Sequence, residues 1–161
     1  MKLMTPITAG LSGTYTKEND MNITTARTYN FDDTVNIKAL LKPRIHQLIE
    51  LVNQSYETGA IVYWVDEVQN VNRHTLDGSW LPDFKWCHSF EIKNVDYSDD
   101  WFTINVDTVI RGAEAILSGK VSVSPSLRTQ IVMGIIGEDG MDSDAVDVLM
   151  QAGLFGEIVF G

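Results

Sequence analysis

The 161-residue sequence has none of the short motifs that mark a nucleotide or catalytic site: no GxGxxG or GxxxxGK[ST] phosphate loop, no GxSxG nucleophile turn and no HExxH metal helix. These absences leave an enzyme unmotivated, although a site built from scattered residues needs no such motif. Cys87 is the only cysteine, so no internal disulfide can form and a reducing cytoplasm is the expected compartment. No apolar run approaches the ~18 residues of a membrane-spanning helix. The apolar stretch between Met1 and Asp20 is too short for a secretory signal. With 44% hydrophobic and 21% charged residues the composition excludes disordered and collagen-like chains. A chain near this length can bury roughly 70% of its unfolded surface as one domain.

Positive charge is also scarce. Twelve Lys and Arg stand against twenty-two Asp and Glu, a net charge of −10. The deficit is uneven: Met1 to Val95 holds nine basic and eleven acidic residues, whereas Asp96 to Gly161 holds three basic and eleven acidic. Such a surface repels a phosphate backbone, so direct nucleic-acid binding is disfavoured. Two consequences stay open, self-repulsion that keeps the protein soluble and attraction to a basic partner, including competition for a nucleic-acid-binding groove.

Residues 1–34 are rich in Thr, Asn and Gly with little periodicity, and are expected to form a flexible arm before a single α+β domain over 35–161; Met21 is a candidate alternative start. Pro43 suits a first helical turn, and Ile45, Leu48, Ile49, Val52 and Tyr56 form an apolar stripe on a helix that Gly59 can end. The apolar run Ala60 to Val65 predicts a short strand, and Leu76 to Ser79 a turn. Phe84, Trp86, His88, Phe90 and Ile92 alternate with polar neighbours, the pattern of a strand. Trp101 to Val106 is its expected hairpin partner across a polar connection, Asp96 to Asp100.

The period then becomes helical. Val106, Val109, Ile110, Ala113, Ile116 and Leu117 share a face that ends at Gly119, and Ser124-Pro125 opens a second helix that Glu138-Asp139-Gly140 breaks. Asp142 or Ser143 caps a third through Val146, Leu149 and Ala152, whose apolar continuation Leu154 to Phe160 is interrupted by Gly156 after Gly153. The fold class is therefore α+β: a helix and a small antiparallel sheet, followed by a C-terminal group of three helices.

Each candidate chemistry has an ordinary counterpart. Cys87 and His88 are adjacent on a strand and point to opposite faces, so the imidazole does not activate the thiol; a hydrogen-bonded core histidine is expected instead. His46, His74, Cys87 and His88 lack the paired spacing of a zinc site. The run Glu138, Asp139, Asp142, Asp144, Asp147 fails as a calcium loop, because Val146 and Asp147 occupy the positions of an oxygen ligand and the required Gly. No catalytic residue, cofactor or metal is implied. The carboxylates at element ends, Asp96, Asp99 and Asp100 beside Trp101, and Asp139, Asp142 and Asp144, are the candidate partner-binding residues. Trp80 and Trp101 divide between core and interface roles, while Trp86 is assigned to the sheet core.

The segment Val146 to Gly161, following the Arg111-Gly112 helix and the acidic turn, resembles the ending of small proteins encoded by phages, prophages and other mobile elements. The similarity extends loosely to Ile61-Val62-Tyr63-Trp64 and the strand pair, but not to the N-terminal arm or to Trp80 to Trp86. It implies a host-takeover or anti-defence protein, such as a CRISPR or restriction inhibitor, that binds a basic protein or nucleoprotein of the host stoichiometrically through its acidic surface. The alternatives are a virion assembly accessory that forms a homo-oligomer through the apolar C-terminus, and a small enzyme. No membrane partner is expected.

Overall fold

The computed structural model describes Leu41 and residues 44–94 and 100–161, so the expected arm over 1–34, Pro43 and the connection residues Asp96 and Asp99 lie outside the described residues. Helix α1, Ile45–Glu57, buries Leu48, Ile49, Leu51 and Val52, while Ile45 is 44% exposed and drops out of the expected stripe. The helix ends at Thr58, whose N–H donates to the Gln54 carbonyl, and Gly59 reverses the chain at φ 67°.

The apolar run that follows is a turn, which corrects the strand expected at Ala60 to Val65. Val62 N–H donates to Gly59 O at 3.0 Å and Trp64 N–H to Ile61 O at 3.3 Å. Burial explains the difference. Ala60, Ile61 and Trp64 point inward while Val62 and Tyr63 are exposed, a one-turn helical spacing that a short apolar run cannot distinguish from a buried strand.

Strand β1, Val65–His74, starts where that run stops and is exposed from Asp66 onward. It owes its existence to hydrogen bonds with β2, Trp86–Asn94, rather than to an apolar face. Strand β3, Trp101–Asn105, completes an antiparallel sheet of order β1-β2-β3, with Ser89 opposite Asn105 and Lys93 opposite Trp101, as the hairpin expectation required. The β1–β2 ladder is irregular. Gln69 pairs with Glu91 but Asn72 with Ser89, leaving an extra residue on β1 where Asn70 takes φ 50°; Arg73 pairs with Cys87, leaving His88 as the extra residue on β2. Such bulges twist an edge strand away from regular pairing with another chain.

Helices cover the sheet face that carries Phe90, Ile92 and Ile104. Helix α2, Val106–Leu117, opens with a capping box in which Asn105 accepts from Thr108 N–H at 3.1 Å. Helix α3, Pro125–Ile136, has Ser124 as N-cap and ends in left-handed Gly137 at φ 78°. Helix α4, Ser143–Phe155, is capped by Asp142 and closed by Gly156. Gly153 does not interrupt it. A Cβ on Gly153 would fall 2.1 Å from the Thr108 carbonyl oxygen, and one on Gly112 would fall 2.1 Å from that of Leu149, so each glycine lets the backbones of α2 and α4 touch.

Gly112→Ala and Gly153→Ala should each lower the unfolding free energy by about 1–3 kcal/mol, overpacking outweighing the gain in helix propensity. Gly140→Ala, with nothing within 4 Å of the added Cβ, should change it by less than about 0.5 kcal/mol. Urea denaturation of the three variants checks both statements.

Candidate acidic cleft and the buried carboxylate network

On the polar flank of α1, Gln47, Glu50 and Gln54 recur at spacings of three and four beside Leu51, so their side chains form a stripe on one side of the helix. Opposite this stripe, α3 ends at Gly137 and the chain turns through Glu138, Asp139 and Gly140 to Met141. Two contacts fix the separation. Gln54 Nε2 donates to the Met141 carbonyl at 2.7 Å, and the Met141 side chain lies against Gly134, where an added Cβ would come within 2.4 Å of its Cγ. Between them lies a cleft of about 340 Å³.

Three carboxylates line it, Glu50, Glu138 and Asp139, together with the Gln47 and Gln54 amides, and among the described residues its lining holds no Lys, Arg or His. Beyond Arg128 the sequence has six carboxylates and no Lys or Arg, so the same region supplies no cation to neutralise them. A concave site with one sign of charge concentrates its potential and attracts the opposite sign.

The candidate residues therefore divide. Asp139 lines the cleft. Asp100 and Trp101 are exposed at the opening of β3 and do not line it. Asp144 is exposed in the first turn of α4, where a negative charge suits the helix dipole. Asp142 is also exposed, but its carboxylate accepts from Ala145 N–H at 2.8 Å, and that hydrogen bond, with a further one from Gln130, holds its pKa below the usual carboxylate range. Its oxygens already serve the helix. Sequence reasoning missed Glu50, Gln47 and Gln54, which the polar periodicity of α1 would have placed on one face.

Sequence reasoning also missed a buried carboxylate. Asp147, 5% exposed, accepts from Tyr63 Oη at 2.5 Å, Trp64 Nε1 at 2.6 Å and Gln151 Nε2 at 2.7 Å. Burial raises its pKa and the three hydrogen bonds oppose that rise. Burial, together with the neighbouring carboxylate, makes the Tyr63 hydroxyl less acidic, so Tyr63 is a donor here and not an activated nucleophile. The fully buried Gln151 in turn binds the chain beyond α4: its Oε1 accepts from Val159 N–H at 2.9 Å and Phe160 N–H at 2.8 Å. The Phe160 ring stacks on Trp64 with centroids 5.7 Å apart and 5° between planes. The apolar C-terminal segment is thus engaged within the chain.

The Cys87–His88 pair is placed differently from the strict alternation expected. Because His88 is the extra residue of a bulge, the strand changes phase there: Cys87 is fully buried and its N–H donates to Asn53 Oδ1 of α1 at 2.9 Å, while Phe90, of the opposite parity, also meets α1 through Tyr56. Burial pushes the Cys87 thiol up, away from thiolate chemistry. His88 is half-buried and edge-on to His74 at 5.4 Å; it has a hydrogen bond with the His74 backbone, in line with the hydrogen-bonded histidine expected, while its Nε2 has no hydrogen-bond partner. Burial first and the His74 charge second lower its basicity. Among the described residues no group of three or more His, Cys, Asp or Glu is arranged to hold a metal ion, and no helix is long and apolar enough to cross a membrane.

Replacing Asp147 by Ala would leave the buried Trp64 and Gln151 donors without their acceptor and should reduce stability by about 2–4 kcal/mol, whereas Tyr63→Phe, whose hydroxyl lies at the surface edge, should cost about 1 kcal/mol. Equal losses in denaturant titrations would contradict the assignment of Asp147 as the shared acceptor. No family model, curated protein or solved structure matches this chain.

Proposed function

We propose that the protein is a stoichiometric binding protein that takes a Lys- or Arg-bearing segment of a basic partner into the cleft between α1 and the α3–α4 turn. The observation that carries this reading is the set of three carboxylates, Glu50, Glu138 and Asp139, around a cleft whose lining has no cation among the described residues. An Arg side chain presents a flat fork of donors and an apolar stem; the carboxylates and the Gln47 and Gln54 amides suit the fork, and Leu51 and Met141 suit the stem. Attraction of this kind raises association rates and falls with ionic strength, because salt screens charges beyond about 10 Å.

The resemblance of Val146 to Gly161 to proteins of mobile elements supports a biological setting in which the basic partner is a host nucleic-acid-handling protein and the chain acts as an anti-defence inhibitor. A nucleic-acid channel is rich in the residues that this cleft would take. The acidic balance beyond Arg128 supports the same direction, since it disfavours contact with the nucleic acid itself.

Titration of a fluorescent oligo-arginine peptide tests the reading. Binding should weaken at least about tenfold, roughly 1.4 kcal/mol, in the triple variant Glu50→Gln, Glu138→Gln, Asp139→Asn, with little change in thermal stability because exposed charges contribute little to folding. Asp100→Asn should leave binding within about twofold. A cleft variant that binds as tightly as the unaltered chain, or a loss no greater than that caused by Asp100→Asn, overturns the assignment.

A further inference from the structure

His74 and His88 belong to the neighbouring strands β1 and β2 and meet where the ladder between them is irregular. His74 stands directly opposite Trp86, which puts it on the diagonal to His88, and the bulge at His88 sets the two rings edge-on, with centroids 5.4 Å apart and 88° between planes. One nitrogen of His88 is accounted for. Its ring has a hydrogen bond with the His74 backbone that favours the protonated ring, so the acceptor is the carbonyl; because Nε2 has no partner, the donor is Nδ1. That bond selects the tautomer. In the neutral ring the proton sits on Nδ1, and Nε2 carries a buried lone pair that no donor fills. A buried acceptor left without a donor is unfavourable and uncommon in folded proteins.

We propose that His74 and His88 form a two-histidine site for a zinc-type divalent cation, with His88 Nε2 and a ring nitrogen of His74 as the protein ligands and water in the remaining positions. Neutral imidazole nitrogen is a preferred ligand of Zn2+, and a metal-bound histidine commonly donates its other ring N–H to a backbone carbonyl, the arrangement that His88 already has with His74. The ring separation suits the metal. With a Zn–N bond of about 2.0 Å and about 1.2 Å from nitrogen to ring centre, each centroid stands about 3.2 Å from the ion, so centroids 5.4 Å apart subtend about 115° at it. That is close to a tetrahedral angle, whereas a right-angled pair in a square-planar site would bring the centroids to about 4.5 Å. Only His74 has to adjust. Its ring is exposed and its outer torsion is soft, so it can turn a nitrogen toward the point that His88 Nε2 faces, and a ligand at the surface gives the ion a way in.

The surroundings admit a cation. Arg73, adjacent to His74 on β1, is held by Glu57 in an ion pair and lies over the Tyr56 ring at 5.0 Å, so its charge is already engaged. Trp86, opposite His74, packs against the Phe84 ring with centroids 4.8 Å apart and gives the pair an apolar border, which limits competition from water. Among the described residues no third His, Cys, Asp or Glu joins the pair in a group that could hold a metal ion. The site therefore has two protein ligands and stays open, and it binds its ion more weakly than a four-ligand structural site. Paired sequence spacing does not reveal it, because the two ligands are brought together across strands rather than along one element. Neither histidine lines the acidic cleft, so the site stands independently of the function proposed for that cleft.

Calorimetric titration of the tag-free, chelator-treated whole chain with ZnCl2 tests the proposal. The unaltered chain should bind zinc with a Kd below about 100 µM, and His74→Ala and His88→Ala should each weaken binding at least about tenfold. His74→Ala replaces an exposed side chain, so it carries the test if His88→Ala disturbs the fold. An acidic protein also draws zinc to its carboxylates, which makes the triple variant Glu50→Gln, Glu138→Gln, Asp139→Asn the control; it and His46→Ala should bind within about twofold of the unaltered chain. Co2+ supplies a second readout, since a tetrahedral site absorbs strongly in the visible and an octahedral, water-rich one only weakly. The strong absorption should appear with the unaltered chain and be lost in His74→Ala. Absence of zinc binding, an affinity unmoved by either histidine variant, a loss in the triple variant as large as that in His74→Ala, or a Co2+ spectrum of octahedral strength would each overturn the proposal.

Discussion

A carboxylate that accepts three hydrogen bonds in a buried site joins parts of the chain far apart in sequence. Asp147 receives Tyr63 and Trp64 from the turn after α1 and Gln151 from its own helix, and through Gln151 it reaches Val159 and Phe160. Burying an ionisable group is unfavourable unless its oxygens are occupied, and here the acceptor sites are filled by donors from two elements. A hydrophobic replacement of similar volume would avoid the desolvation penalty but would leave the Trp64 indole N–H without its acceptor and take one of the acceptors of Gln151 Nε2 away. The network therefore favours one arrangement of the turn, α4 and the segment beyond it, because breaking that arrangement leaves buried polar atoms unpaired.

That arrangement rests on the α2–α4 crossing. With Gly112 and Gly153 at the contact, the two backbones meet at a distance that no Cβ would permit, and Arg111 adds a bond to the Gly153 carbonyl. The crossing fixes α4, whose first turn, capped by Asp142, follows directly from Met141 in the cleft wall. The cleft is thus positioned from both sides. Gln54 of α1 holds the Met141 carbonyl, and Gly134 of α3 leaves room for the Met141 side chain. Its floor, Leu51 and Met141, belongs to the core, while its carboxylates stand on the flank of α1 and on the α3–α4 turn, so charge there can change with little effect on the fold.

Much of the fold was legible because local chemistry and tertiary structure agree in it. Asn105, Ser124 and Asp142 cap helices at the positions their side chains suit, Gly137 and Gly156 end two of them in left-handed geometry, and the β2–β3 hairpin follows the alternation of Phe90 and Ile92. The failures have physical causes. Ala60 to Trp64 is too short an apolar run to separate a buried turn from a buried strand. Strand β1 has no apolar face to detect, since it is built by backbone pairing across bulges. The bulge at His88 reversed the parity on which the facing of Cys87 depends. Of the candidate site, Asp139 was legible as an acidic turn residue, but Glu50 became part of it only when α1 and the α3–α4 turn came together, a long-range event that no local pattern encodes.

The acidic residues beyond Arg128 also show why a charge count is a poor guide to where charge acts. Asp142 directs its oxygens to the backbone of α4, and Asp147 is turned inward among neutral donors, so neither presents an unengaged carboxylate to a partner. Glu138 and Asp139 follow the left-handed Gly137, where the chain leaves α3 and faces α1. Glu50 reaches the same cleft from a helix nearly ninety residues earlier. Charges within a screening length of each other act on a ligand together, whereas the same charges spread over a surface act one by one and are lost in salt. Tertiary structure, by bringing Glu50 to Glu138 and Asp139 while turning Asp147 away, converts a diffuse excess of negative charge into a local field with a direction.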